Sequence, residues 1–349
     1  MDFLSNLRAR AALLKTSIVL PEGEELCVIA AARQAADIGV ARPVLLGRSA
    51  AIKETAGRAG IDLDGILLVD PADDDRAEMF AAKYLALRGG KDVHTLDQAL
   101  REVKRPLSHG AMMVREGMAH GTVGGAVNTT ADVLRAAIRI IGPQEGMRFV
   151  SSCFFMVHPD PRWGEDGVML YSDAGVNPNP DPEQLAEIAI LAAEFWGRFC
   201  GQAPRVALLS FSTKGSGGDH PDVRKVRRAA ELVAARMPGL AVDGELQADA
   251  ALIPAIGERK APGSAVAGRA NILVFPDLDA ANIAYKLTER LAGALAVGPL
   301  LVGLAKPAHD LSRGCAPGDI VNAMAVAALQ AADTAEVGIW ERTISPRYT

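Results

Sequence analysis

Apolar positions in this chain of 349 residues switch repeatedly between helical spacing and short continuous runs, with polar or glycine-bearing breaks between them. Residues 24–38 place apolar groups at helical spacing, and residues 43–46 form an apolar run of strand length. Residues 66–69 predict another strand, closed by Asp70 and Pro71, and residues 76–87 a helix that stops at Gly89 and Gly90. Residues 122–127 predict a strand or a tight backbone approach, with Gly124 and Gly125 inside it. Thr129 and Asp132 then make a T-x-x-D start signal for a helix over 131–141. Further strands are predicted at 149–157, 167–172 and 205–212. Asp181, Pro182 and Gln184 open a long helix as cap, first position and capping-box partner. This alternation predicts α/β layers with a largely parallel sheet, and the length suits two domains.

The densest polar chemistry follows the apolar run at 294–302, in GLAKPAHDLSRGCAPGDIVN over 303–322. Pro317 suits the first position of the alanine-rich helix that follows, and Asp319 then falls in its first turn, facing the positive end of the dipole. Ser312, Arg313, Gly314 and Cys315 lie just before it. A glycine-containing loop that carries an arginine and opens a helix is an anion seat. The plain alternative is a capping aspartate, a turn serine, a surface arginine and a small apolar cysteine.

Charge and composition narrow the partners. The formal charge is −5, with no long basic run, so nucleic acid is not expected and anionic ligands must be held by local arginines and amides. Cys27, Cys153, Cys200 and Cys315 show no paired spacing, which predicts neither zinc site nor disulfide framework and fits a reducing cytoplasm. The six histidines form no metal motif. The N-terminal residues lack the apolar core of a signal peptide, and no apolar run is long enough for a bilayer.

Two other loops are phosphate candidates. The strand, glycine loop and helix start over 122–132 together offer backbone N–H groups to an anion, and Arg135 lies within reach on the helix. Arg139, four residues on, would repel Arg135, and that conflict favours a use for the charge. Thr213 to Gly218 is a glycine-rich loop with Lys214, but it lacks the GxxxxGK[ST] pattern and reads more simply as a turn. No G-x-G-x-x-G unit appears, which argues against a nicotinamide-dependent oxidoreductase. Arg88, at a helix end, reads first as a charge complementing the dipole.

The loop at 303–322 closely resembles the C-terminal signature of the phosphate acetyl/butyryl transferases. The likeness continues through GAMMVREGMAHGTVGGAVNTTADVLRAAIRII at 110–141, DAGVNPNPDPEQLAEIAI at 173–190, RVALLSFSTKGS at 205–216, VDGELQADAAL at 242–252 and NILVFPDLDAANIAYKLTERLAGA at 271–294. It implies acetyl-CoA + phosphate ⇌ acetyl phosphate + CoA by direct thiolate attack in a ternary complex. Phosphate butyryl transfer is the alternative, and a non-catalytic acyl-CoA or phosphate-metabolite binding protein a remote one. It implies Asp319 as base for the CoA thiol, with Ser312 and Arg313 stabilising charge. Arg88, Arg135, Thr130 and Lys286 are implied to bind substrate, with Asp277 and Asp279 as further cleft candidates. An acyl-Cys315 is the rival mechanism.

The resemblance also implies two three-layer α/β domains of the isocitrate/isopropylmalate dehydrogenase-like fold with a cleft between them, the first comprising 1–146 plus 302–349 and the second 147–301. It implies no permanently bound cofactor, no metal, CoA as a substrate, small-molecule partners only, no membrane association, a homodimer and a cytoplasmic location. Gly124 and Asn128 depart from the family's usual serine and histidine, and Gly217 and Gly218 look like a local expansion. The tail, including Trp340, falls outside the resemblance.

Overall fold

The structure is a computed structural model that describes residues 2–332, so the tail with Trp340 lies outside the described residues. The chain divides into two compact units. The first runs to Glu145 and resumes at Leu304; the second is Gly146–Gly303. The strands in chain order are β1 Ser17–Leu20, β2 Arg42–Leu46, β3 Leu67–Val69, β4 Gly121–Gly124, β5 Ser151–Val157, β6 Val168–Ser172, β7 Arg205–Leu209, β8 Ala241–Leu246, β9 Ile272–Val274, β10 Leu295–Val302 and β11 Ala308–Asp310. Because β10 runs through Val302 and pairs with β5, the return to the first unit begins at Leu304 rather than at residue 302.

The first unit is built on a sheet of order β11-β4-β1-β2-β3, parallel at every pairing. Its central strand β1 is buried along its whole length, as a parallel strand covered on both faces must be. Helix Leu26–Asp37 turns Val28, Ile29, Ala31, Ala32 and Ala35 inward and packs against helix Pro317–Ala332. That second helix is nearly all small apolar residues and also packs on β4.

Two expectations for this unit change. The strand expected over 122–127 ends at Gly124, and the helix expected over 131–141 is α-helical over Thr130–Ala136 and π-helical over Ala137–Ile141. Helices Leu96–Val103 and Pro106–Arg115 are additional.

In the second unit the sheet order is β10-β5-β6-β9-β7-β8. Here the largely parallel expectation holds for only part of the sheet: β5 runs antiparallel to both β10 and β6, and the remaining pairs are parallel. The β5–β6 connection over 158–167 is too short for a parallel crossover, which takes about a dozen residues or more. Helix Pro182–Cys200 carries the full capping box on Asp181 and Gln184, stacks Phe195 on Phe155 and sets Phe199 edge-on against the same ring. No helix among the described residues is long and apolar enough to cross a membrane.

Candidate active site

All five strands of the first sheet are parallel, so their carboxyl ends share one edge. Ligands of open α/β sheets bind outside that edge. The chain segments there are 21–25 after β1, 47–48 after β2, 125–129 after β4 and 311–316 after β11.

The segment after β4 is not the open phosphate seat its sequence predicts. Glu22, only 7 % exposed, fills it. Its Oε2 accepts the amides of Gly125 and Ala126 at 2.9 and 2.7 Å, and its Oε1 those of Val127 and Asn128 at 3.0 and 2.8 Å. The Asn128 side-chain amide donates to the same Oε1 at 2.8 Å. This explains why β4 stops at Gly124: the next amides turn toward a carboxylate rather than a neighbouring strand. Gly125 must be glycine, since its φ is +109° and a Cβ there would lie 2.3 Å from Asp310 Oδ1.

Asp310 ends β11 and is 1 % exposed. Thr130, the first residue of its helix, donates its hydroxyl to Asp310 Oδ2 at 2.6 Å, while Oδ1 has no hydrogen-bond partner among the described residues. Burial pushes the Asp310 carboxyl up to about 6; Thr130 and the Leu311 amide pull against that, and the charge of Glu22 adds to it. The preceding residue, His309, is fully buried, and burial pushes its imidazole down to about 3. It is a neutral core group.

The turn after β11 is open. Leu311 is buried, whereas Ser312, Arg313 and Gly314 are exposed. The Cys315 amide donates back to the Ser312 carbonyl at 2.9 Å and closes the turn. Among the described residues Arg313 has no salt-bridge partner. Asp319 sits in the first turn of its helix, and its Oδ2 accepts the Ala316 amide at 2.9 Å. The capping reading of Asp319 is therefore real, and it fixes the carboxylate beside the exposed turn. Burial pushes the Cys315 thiol up to about 12, with the charge of Asp319 contributing, so it is a poor nucleophile.

Arg88 and Arg135 are already neutralised. Arg88 Nε pairs with Asp92 Oδ1 at 2.9 Å, and Arg139 takes Asp92 Oδ2 at 2.8 Å. Arg135 pairs with Asp132, which also caps its own helix through Thr129. The expected repulsion between Arg135 and Arg139 is thus relieved by separate carboxylates, and gives no reason of its own to assign Arg135 a ligand. The structure ties Thr130 directly to the strand that leads into the Ser312 turn, and Arg135 follows on the same helix.

Lys286 belongs to the second unit, with its ammonium 4.9 Å from the ring centroid of Tyr285. In that unit Asp277 caps its helix by accepting the Ala280 amide. The Lys214 loop is folded onto Glu245, which accepts the Gly215 amide at 2.6 Å and the Ser212 hydroxyl at 3.0 Å. No group of three or more His, Cys, Asp or Glu side chains among the described residues is placed to hold a metal.

Sequence reasoning missed Glu22 and Asp310. The available signals were a carboxylate two residues past the short apolar run at 18–20, in LPEGEE, and an aspartate two residues before Ser312. A cavity of about 270 Å³ opens at the same edge, lined by Glu22, Glu24, Gly47, Arg105, Leu107 and Asn128.

Known proteins resemble this chain along nearly all of it. The family model described as phosphate acetyl/butaryl transferase matches residues 2–328. A phosphate acetyltransferase of Acetivibrio thermocellus is 46% identical over 331 residues, covering 95% of this chain and 98% of that one. The crystal structure of a phosphotransacetylase from Streptococcus pyogenes superposes with a TM-score of 0.89 at 37% identity, covering 95% of this chain and 100% of the other. A 4-hydroxythreonine-4-phosphate dehydrogenase from Burkholderia phymatum, 15% identical, matches with a TM-score of 0.52 over 90% of this chain and 98% of its own, which shows a shared dehydrogenase-like fold alone. The chain belongs to the phosphate acetyl/butaryl transferase family.

Proposed function

We propose that this enzyme transfers an acetyl group reversibly between CoA and inorganic phosphate, acetyl-CoA + phosphate ⇌ CoA + acetyl phosphate, by direct thiolate attack in a ternary complex. The observation that carries this is the family match across residues 2–328, whose signature turn stands exposed at the carboxyl edge of the first sheet with Ser312, Arg313 and Asp319 intact. In this reading Asp319 takes the thiol proton, Arg313 balances the charge of phosphate and carbonyl oxygen, and Ser312 donates to the developing oxyanion. Free carboxyl and thiol groups differ by roughly 4.5 pKa units, taking cysteine as the model, or about 6 kcal/mol. Closing that gap falls to Arg313, exposed and without a salt bridge among the described residues, and to exclusion of water around the reacting groups.

Thr130 reaches the turn through Asp310, and Arg135 and Arg88 bind phosphate groups by exchanging Asp132 and Asp92 for substrate. Lys286 is assigned to CoA by resemblance. In this reading Cys315 is not the acyl carrier, since burial and the charge of Asp319 disfavour its thiolate. CoA acts as substrate, with no permanently bound cofactor. The protein works as a cytoplasmic homodimer on small molecules.

The test is thioester formation from CoA with acetyl phosphate and, separately, butyryl phosphate, without added metal. Preference for acetyl phosphate is expected. Preference for butyryl phosphate would keep the chemistry and change the acyl class, and the absence of any thioester would overturn the reading.

A further inference from the structure

The signature turn contains a cysteine that the reaction does not use, and a second cysteine lies against it. Cys315 closes the turn that displays Ser312 and Arg313. Cys27 occupies the first turn of helix Leu26–Asp37, which packs against the helix that Cys315 leads into. The two cysteines thus stand at the same ends of two packed helices that follow parallel strands of one sheet, and their thiols interact, although the residues are almost a full chain apart in sequence. Both are free and half-buried, so a small molecule can approach them.

We propose that Cys27 and Cys315 form an oxidisable dithiol, and that closing it into a disulfide by exchange with a low-molecular-weight disulfide pins the Ser312–Arg313 turn and suspends acyl transfer. The exchange balances without further reagents. The Cys27 thiolate attacks one sulfur of the small disulfide R–S–S–R, forming a mixed disulfide and releasing R–S⁻. Cys315 gives its proton to that R–S⁻ and attacks the sulfur of Cys27, releasing a second R–S⁻ that takes up the proton lost by Cys27. The two cysteines are oxidised and one disulfide is reduced to two thiols. Because the enzyme's proposed substrate is itself a thiol, its oxidised dimer belongs to the class of small disulfide required.

The order of attack follows from the interaction between the two thiols, which favours ionisation of Cys27 and opposes that of Cys315. Both thiols are otherwise held protonated. Burial raises each, Glu25 and Glu22 face Cys27, and Asp319 faces Cys315. Oxidation is therefore slow near neutrality and faster as pH rises. A disulfide draws two cysteine Cα atoms to roughly 5.5–6 Å. That restraint acts on the residue three places from Ser312, and misplacement of a catalytic group by about 1 Å costs on the order of 10²-fold.

The effect on activity rests on the proposed acyl transfer, whereas the pairing of the thiols does not. The test treats the fully reduced whole chain with excess glutathione disulfide at mildly alkaline pH. It follows free thiols in denaturant, maps cross-linked peptides by mass, and assays acetyl transfer. Free thiols are expected to fall by two from the four of the reduced chain. A peptide pair joining Cys27 to Cys315 should appear, with activity down about 10²-fold and recovered with dithiothreitol. Cys27→Ser should keep its activity through the same treatment. Absence of that peptide pair, equal inactivation of Cys27→Ser, or a mapped disulfide with unchanged activity would each overturn the proposal. If the reduced chain shows no acyl transfer, the function is refuted, and the peptide map still decides the pairing.

Discussion

Two glycine-bearing loops leave neighbouring strands of the same sheet, and they meet opposite fates. After β4, the amides of residues 125–128 converge on Glu22. After β11, residues 312–314 of the turn are exposed, and Arg313 has no salt-bridge partner among the described residues. Both look like anion seats in sequence, because glycines before a helix start are what an anion seat needs. The difference is one carboxylate from a third strand end. The second unit repeats the closed solution: Asp173 accepts the amides of Gly175, Val176 and Asn177. A cluster of converging N–H groups therefore marks an anion, but the anion is often the protein's own.

The sharpest test of this contrast is to disable the open loop. Asp319→Asn should lower kcat by about 10²- to 10⁴-fold while substrate KM changes little, as expected for loss of a general base. An unchanged turnover would remove Asp319 from the chemistry.

The second is to open the closed loop. Glu22→Ala strands several inward-facing amides and should destabilise the chain by about 3 kcal/mol, read from urea unfolding. Added inorganic phosphate should restore part of that stability in the variant and none in the parent, because the vacated amides then hold an external anion. A loss below about 1 kcal/mol would show that the loop keeps its shape without Glu22.

Asp310 stands between the two loops and gives a smaller, pH-dependent effect. Its folded pKa is raised, so the stability linked to its protonated form is complete below the unfolded value of 3.8 and is lost as pH rises through about 6. Asp310→Asn keeps an acceptor for the Thr130 hydroxyl and removes the buried charge. It should raise stability relative to the parent by about 2 kcal/mol at pH 8, an advantage that fades below about pH 4. A constant difference across pH would show that Asp310 does not titrate in this window.

Least affected in stability should be Arg135→Gln. Its pair with Asp132 is exposed, and such pairs contribute less than about 1 kcal/mol. KM for phosphate should rise with kcat nearly intact, and unchanged KM would leave Arg135 as a helix charge only.

How far the sequence could be read depended on the range of the interaction. Thr129 with Asp132 and Asp181 with Gln184 were legible, since each cap is closed within three residues. Pro317 and Asp319 were placed correctly for the same reason. The early end of β4 was not legible, because its cause is Glu22, about a hundred residues upstream. Nor was the antiparallel run of β5 between β10 and β6, since apolar strands read alike in either direction. In the site, residue types in the Ser312–Asp319 turn announced themselves. Asp310 and Cys27 did not, because what distinguishes each is a partner remote in sequence: Thr130 for one, Cys315 for the other.

The place of β11 also bears on how the molecule is made. During synthesis the first unit emerges without it, so β4 stands as an edge strand until the whole second unit has left the ribosome and residues 308–310 arrive. Thr130 waits equally long for Asp310. A chain stalled between the end of the second unit and that strand carries a complete second unit and an exposed sheet edge, and none of the signature turn. The strand that completes the sheet therefore arrives together with the turn that follows it.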